Sequence, residues 1–196
     1  MQWYLLKTWI GREEEVAGEI RRNVPNDLYN ECFVIYQERI WRKQQRSTVQ
    51  LKSVFPGCIF LTCPVAKVSW QQLERIPAIS RLIAFGGLSM FPMMEEDARF
   101  LEKISGDEHI IRLSYVLKDE EGNIRKLSGP LKDFLGQVER IQFKKRYVMA
   151  RHRLWGEEKL FVLGIALKED MEQKILFKKN TDEYRQNQRI LTEEMA

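Results

Sequence analysis

The chain has 196 residues, 44% of them hydrophobic and 31% charged, which suits a globular protein with room for one large domain or two small ones. Its longest apolar runs, such as Cys58-Ile59-Phe60-Leu61, fall far short of the ~20 residues of a membrane span. Met1-Gln2-Trp3-Tyr4 shows no basic-then-apolar leader pattern, so a cytoplasmic protein without a membrane partner is expected.

In chain order, Trp3 to Trp9 predicts a buried strand. Gly11 breaks it, and Glu13-Glu14-Glu15 open a helix with acids where the helix dipole favours them. Val16, Ala17, Ile20 and Val24 form that helix's apolar face, and Pro25-Asn26-Asp27 ends it. Cys32 to Trp41 alternates as a strand, Phe33 and Ile35 against Val34 and Tyr36, and Thr48 to Lys52 alternates weakly. Phe55-Pro56-Gly57 leads into a second buried strand reaching Cys63. Ser69-Trp70-Gln71-Gln72 fits a capping box, with Trp70, Leu73 and Ile76 as the helix face. Ile79 to Phe85 reads as a strand ending at Gly86-Gly87, and Pro92 to Ile104 as a helix with Phe100, Leu101 and Ile104 inward. The order β-α-β-β-α-β-α predicts an α+β sandwich on an antiparallel sheet.

After Ser105-Gly106-Asp107 the pattern changes to short strands and tight turns. Ile110 to Leu117, Ile124 to Leu127, Gln137 to Phe143, Tyr147 to Leu154 and Leu160 to Leu167 are spaced like a small β-barrel. The expected organisation is a first domain over 1–105, a linker over 106–112, a barrel over 113–168 and a helical or flexible tail over 169–196.

Catalytic chemistry is poorly supplied. The sequence holds no Walker phosphate loop, no G-x-S-x-G and no H-E-x-x-H, so no catalytic residue, cofactor or enzymatic activity is expected. The three cysteines imply no disulfide framework. Cys58 and Cys63 fall on opposite faces of one strand and have only His109 and His152 as companions, so no metal site is expected.

The net charge of +4 is small, but its distribution is informative. Gln137 to Arg153 carries Arg140, Lys144, Lys145, Arg146, Arg151 and Arg153 against one acid, Glu139. Arg39 to Lys52 holds Arg39, Arg42, Lys43, Arg46 and Lys52 and no acid, whereas the segment from Lys168 onward is close to neutral.

Taken in order, these features resemble the NusG-type transcription elongation and antitermination factors. The opening Trp3-Tyr4 strand, the acid-led helix, Phe55-Pro56-Gly57 before a buried strand and the expected Ile79-to-Phe85 strand ending in Gly86 are similar to the N-terminal (NGN) domain of that family. Ser128-Gly129-Pro130-Leu131, Gly136-Gln137-Val138 and Lys144-Lys145-Arg146 with the later Gly156 resemble its SH3-like KOW barrel. The Gly-Pro-Leu turn and the Lys-Lys-Arg cluster look most like the LoaP branch of specialised antiterminators. The chain departs from the family in having Cys58 where a Tyr is common, Asp133 where the KOW turn usually has a second glycine, and an acid-rich segment after Asp170.

The resemblance implies a monomeric processivity factor whose first domain docks on RNA polymerase through Trp3, Phe55, Pro56, Leu82 and Phe85. It gives the basic hairpin (Arg140, Lys144, Lys145, Arg146, Arg151, Arg153) a nucleic-acid partner, a nascent RNA hairpin read by shape and phosphate contacts, with DNA of the elongation complex as a further partner. The stretch from Arg39 to Lys52 is an additional candidate for DNA. The alternative is a general elongation factor whose KOW barrel binds a termination factor or the ribosome, and such a barrel should expose apolar residues.

Overall fold

The computed structural model describes residues 1–43, 46–64, 71, 74–84, 87–121 and 123–172. Strand β1 (Gln2–Thr8) is central, and helix α1 (Glu13–Asn23) follows it. Strands β2 (Glu31–Phe33), β3 (Tyr36–Lys43), β4 (Arg46–Ser53) and β5 (Cys58–Cys63) come next. Helix α2 (Pro77–Ala84), strand β6 (Leu88–Pro92) and helix α3 (Glu95–Ser105) complete the first unit. Its main sheet runs β2-β5-β1-β6, antiparallel throughout.

Alternation on β5 shows how this sheet is buried on both faces. Cys58 and Phe60 join Trp3, Leu5 and Phe33 on one side, whereas Ile59, Leu61 and Cys63 join Leu6 and the α1 residues Val16, Ala17 and Ile20 on the other. Successive side chains on a strand point to opposite faces, so a run buried at every position must be covered twice. Cys58 and Cys63 thus lie on opposite sides of the sheet.

Three expectations for this unit are corrected. Cys32 to Trp41 is not one strand but is divided at Val34-Ile35 into β2 and β3, which belong to different sheets. Residues from Ile79 onward form helix α2, not a strand. Ile79 and Ile83 are rich in β-propensity, but with Ile76 they are spaced on one helical face that packs against the α1 side of the core. The strand β6 was missed, because Gly87 and Pro92 punctuate a short edge segment that pairs with β1 alone. The capping box expected at 69–72 lies, apart from Gln71, outside the described residues.

The residues expected to link the two units are stitched to the first. The His109 carbonyl accepts the Tyr36 N–H at 3.0 Å, and β7 (Ile110–Ile111) runs parallel to the start of β3. Then come β8 (Ser114–Lys118), β9 (Ile124–Ser128), a 3-10 helix over Pro130–Gln137, β10 (Val138–Gln142), a 3-10 turn over Phe143–Lys145, β11 (Tyr147–Leu154), β12 (Glu157–Leu167) and the short helix α4 (Lys168–Glu172). These strands form a curled sheet in the order β10-β11-β12-β8-β9, with β12 and β8 parallel and the rest antiparallel. The molecule is therefore an α+β sandwich followed by a small barrel-like β unit.

The two units share a core. Leu131, Phe134, Val148, Phe161 and Leu163 belong to the same buried cluster as Trp3, Phe60, Met93 and Leu101. Gly164 of β12 approaches the β3 backbone so closely that a β-carbon there would collide with the Glu38 carbonyl oxygen.

Candidate functional site

The Phe55-Pro56-Gly57 motif is a tight turn. The Cys58 N–H bonds the Phe55 carbonyl at 3.0 Å, and Gly57 has φ +77, the conformation a Pro-Gly turn requires at its second central residue. The Glu13 carboxylate at the start of α1 accepts the Gly57 N–H at 2.6 Å. Burial alone would push that carboxyl up, but the N–H groups of Gly57, Glu13 and Gly11 together hold it below the ordinary value. The turn thus fixes helix and strand together and leaves Pro56 exposed.

The five residues that resemblance assigned to polymerase docking separate here. Trp3 is only 4% exposed and packs edge-on against Phe33 and Phe60, at 5.4 and 6.2 Å between ring centroids, so its ring is core. Phe55 is half-buried, with Trp155 at 5.1 Å and Phe161 at 5.8 Å, both from the second unit. Leu82 stands on α2, and nothing further is described of its side chain; Phe85 lies outside the described residues. Sequence reasoning missed two exposed apolar residues just past the end of β1. Trp9 and Ile10 are 42% and 77% exposed, and Ile10 lies beside Gly57. The available signal was an apolar pair continuing past Thr8, where β1 ends.

The six basic residues of the second unit also fall into distinct places. Lys144 and Lys145 lie exposed on the 143–145 turn. Arg146 does not join them. It takes a left-handed conformation (φ 57) and turns inward, 2% exposed, to meet Asp170 at 2.5 Å and Glu169 at 2.9 Å. Asp170 also accepts the Leu167 N–H at 2.8 Å. Both acids stand at the start of the 169–196 segment, on the short helix that follows β12. Arg140, Arg151 and Arg153 lie exposed on β10 and β11, with Arg151 and Arg153 on one strand face and Arg140 opposite Met149 on the same face. Arg151 is ion-paired with Glu139 and Glu158.

The fold brings the two basic stretches together. A cleft of about 300 Å³ is lined by Arg39, Trp41, Arg42 and Lys52 of the β3–β4 hairpin and by Lys144, Lys145 and Tyr147 of the second unit. The Arg39 guanidinium sits 5.1 Å from the centre of the Tyr147 ring and donates to the Val162 carbonyl at 3.3 Å. Burial pulls the Arg39 pKa down, partly offset by Tyr147.

Nucleophiles and metal ligands are absent from this arrangement. Burial pushes the Cys32 thiol up to about 12 and the Cys63 thiol to about 11, leaving both protonated and unreactive near neutral pH. Among the described residues no group of three or more His, Cys, Asp or Glu is placed to hold a metal ion, and no helix is long and apolar enough to cross a membrane.

Comparison with known proteins finds similar chains. The family model described as transcription termination factor nusG matches residues 1–102. The transcription termination/antitermination protein NusG of Halalkalibacterium halodurans is 24% identical over 164 residues, covering 80% of this chain and 90% of that protein. The corresponding protein of Bacillus subtilis is 24% identical over 163 residues, with the same coverage. A solved structure titled for domain interaction in Thermotoga maritima NusG aligns with a TM-score of 0.49 at 20% identity, covering 83% of this chain and 93% of that one.

Proposed function

The chain belongs to the NusG family of transcription termination and antitermination factors, whose members are not enzymes, and on that premise we propose that it is a specialised antitermination and processivity factor. In this reading it acts as a cytoplasmic monomer, docks on RNA polymerase through its first unit and grips a nucleic-acid signal, a hairpin in the nascent RNA, through its second. A processivity factor makes no bond. It acts by binding the elongating state of polymerase more tightly than the paused one.

The observation that carries the nucleic-acid half is that Lys144 and Lys145, at the tip of the turn between β10 and β11, are exposed and have no ion-pair partner among the described residues. Phosphate contacts of this kind position a structured RNA without reading its bases. The docking half rests on the turn at Pro56, where the exposed face of Phe55 and the apolar Trp9 and Ile10 offer anchors on rigid backbone; Leu82 and Phe85 extend the proposed patch, and Trp3 supports it from the core.

Transcription across a terminator in vitro, on templates with and without a leader hairpin, tests the whole reading. Readthrough that rises only when the hairpin is transcribed is expected; readthrough independent of it, or no readthrough, overturns the specialised role. The general-factor reading is favoured by Leu135 and Leu160, 59% and 44% exposed on the second unit. If it holds, Leu135→Ser and Leu160→Ser abolish capture of a protein partner, whereas Lys144→Gln and Lys145→Gln change nothing.

A further inference from the structure

We infer that the cleft between the β3–β4 hairpin and the 143–145 turn is one composite site for unpaired nucleotides, taking their phosphates on cations from both units and a base on the face of Trp41. This rests on the nucleic-acid half of the proposed function and specifies where, and in what form, the ligand binds.

The first argument is charge. Arg39, Arg42, Lys52, Lys144 and Lys145 line the cleft and no carboxylate does. None of the five has an ion-pair partner among the described residues, whereas Arg112, Arg146, Arg151, Lys103 and Lys159 each have one. Holding five like charges around one small space is unfavourable unless an anion occupies it. Arg39 adds a sharper sign: its Nε is buried and has no hydrogen-bond partner among the described residues, a state that costs stability unless a ligand satisfies it.

The second argument is the aromatic face. Trp41 is 53% exposed on the cleft wall, and Lys52 Nζ stands 5.8 Å from its ring centre. A free phosphate has no use for an indole. A base paired within a duplex has both faces stacked on its neighbours and offers Trp41 nothing, but an unpaired base offers a whole π-face. Cations tracking a backbone beside an open aromatic ring are how proteins hold single strands.

The register puts Arg39, Trp41 and Lys52 on one side of the hairpin. Arg39 and Trp41 are two apart on β3, and Gln50 and Thr48 lie opposite them on β4, with Lys52 two further on. The second unit then closes the cleft from above. Neither basic stretch forms the site alone.

The test titrates the full chain with an end-labelled oligouridylate, the matching oligodeoxythymidylate and a blunt RNA duplex, following anisotropy and intrinsic tryptophan fluorescence at several salt concentrations. Trp41→Ala is expected to weaken single-strand binding by about tenfold or more and to leave the duplex unaffected. Trp41→Phe should keep most of the affinity while losing the quenching of tryptophan fluorescence. Arg42→Gln with Lys52→Gln, and separately Lys144→Gln with Lys145→Gln, should each flatten the single-strand salt dependence by about 1.4 units, ~0.7 per phosphate contact. All of these side chains are exposed, and circular dichroism confirms that each variant is folded. Tighter binding of the RNA than of the DNA identifies a transcript as the ligand; equal binding identifies a site that reads base and phosphate without the 2′-hydroxyl.

Single-strand affinity untouched by Trp41→Ala and by the hairpin pair overturns the composite site. If Lys144→Gln with Lys145→Gln still abolishes hairpin binding in that case, the proposed function stands without it. A parent protein that binds none of the probes and no RNA hairpin overturns both.

Discussion

At the scale of single residues, Arg146 shows that neighbours of identical charge can do unrelated work. Lys144 and Lys145 end in solvent, but the left-handed backbone at Arg146 swings its guanidinium onto Asp170 and Glu169. Removing it strands a carboxylate that is 1% exposed and whose Oδ1 has no partner among the described residues. Arg146→Ala should therefore cost ~3–5 kcal/mol, the usual penalty for breaking a buried pair, while Lys144→Ala should stay within about 0.5 kcal/mol. Urea unfolding of the two variants decides it. Replacing Arg146 and Asp170 together by Met and Leu should cost less than Arg146→Ala alone, because no buried charge is left over. Equal midpoints for Arg146→Ala and Lys144→Ala would show that the inward pair contributes nothing.

At the scale of elements, the 55–58 turn makes the corresponding case for backbone. Gly57 adopts φ +77, and a β-carbon there would lie 2.9 Å from the Thr8 carbonyl oxygen, so Gly57→Ala meets both a strained dihedral and a collision with main chain. A loss of ~1–3 kcal/mol is expected, against almost none for Gly156→Ser, whose β-carbon would point into open space, beyond the cost of its own positive φ; thermal unfolding of the pair separates collision from strain. The elements legible in the sequence were those with a clean period. The two-sided burial of β5, the amphipathic α1 and the strands of the second unit followed from alternation or helical spacing. Helix α2 was misread because β-branched Ile79 and Ile83 outweighed their spacing, and the Ile76–Ile79–Ile83 face only matters once α1 is present to cover it. The candidate site was legible in its parts and not in its assembly. The basic stretches at 39–52 and 140–153 were visible, but no local pattern states that β3 and the 143–145 turn face each other, or that Arg146 leaves the group. Trp3 carried an ambiguous signal, since an aromatic at the start of a strand serves a core or an interface equally well until the covering layer is known.

At the scale of the whole molecule, function depends on how the two units are held together, because the cleft has one wall from each. The seam is tight at Gly164, so Gly164→Ala should force the units apart. Small-angle scattering should report a larger radius of gyration and single-strand binding should fall, with Trp41 and all the cleft cations unchanged; an unaltered radius would show that β3 yields to the extra methyl group. The seam is also sensitive to protons. His152 of β11 stacks on Phe100 of α3 with ring centroids 3.7 Å apart, close to Phe134 and Phe161, and bonds Gln137 at 3.1 Å. Burial among these rings lowers its pKa, and the Asp97 carboxylate from the first unit opposes this only in part. His109, at the junction, is stacked on Phe33 at 3.4 Å, and burial lowers its pKa too, against the pull of Glu31 and Asp107. A histidine whose folded pKa lies below its unfolded value binds more protons when released, so stability rises with pH. The contribution is fully present above the ordinary histidine value of about 6.5 and drains away as pH falls through it toward the lower folded values. Urea midpoints should therefore decline between about pH 7 and pH 5. His152→Leu keeps an apolar side chain against Phe100 and removes the titration, so it should remove part of that decline, and His109→Leu together with His152→Leu should remove most of it. A double variant that loses stability over this range as steeply as the parent would place the proton-sensitive group elsewhere in the molecule.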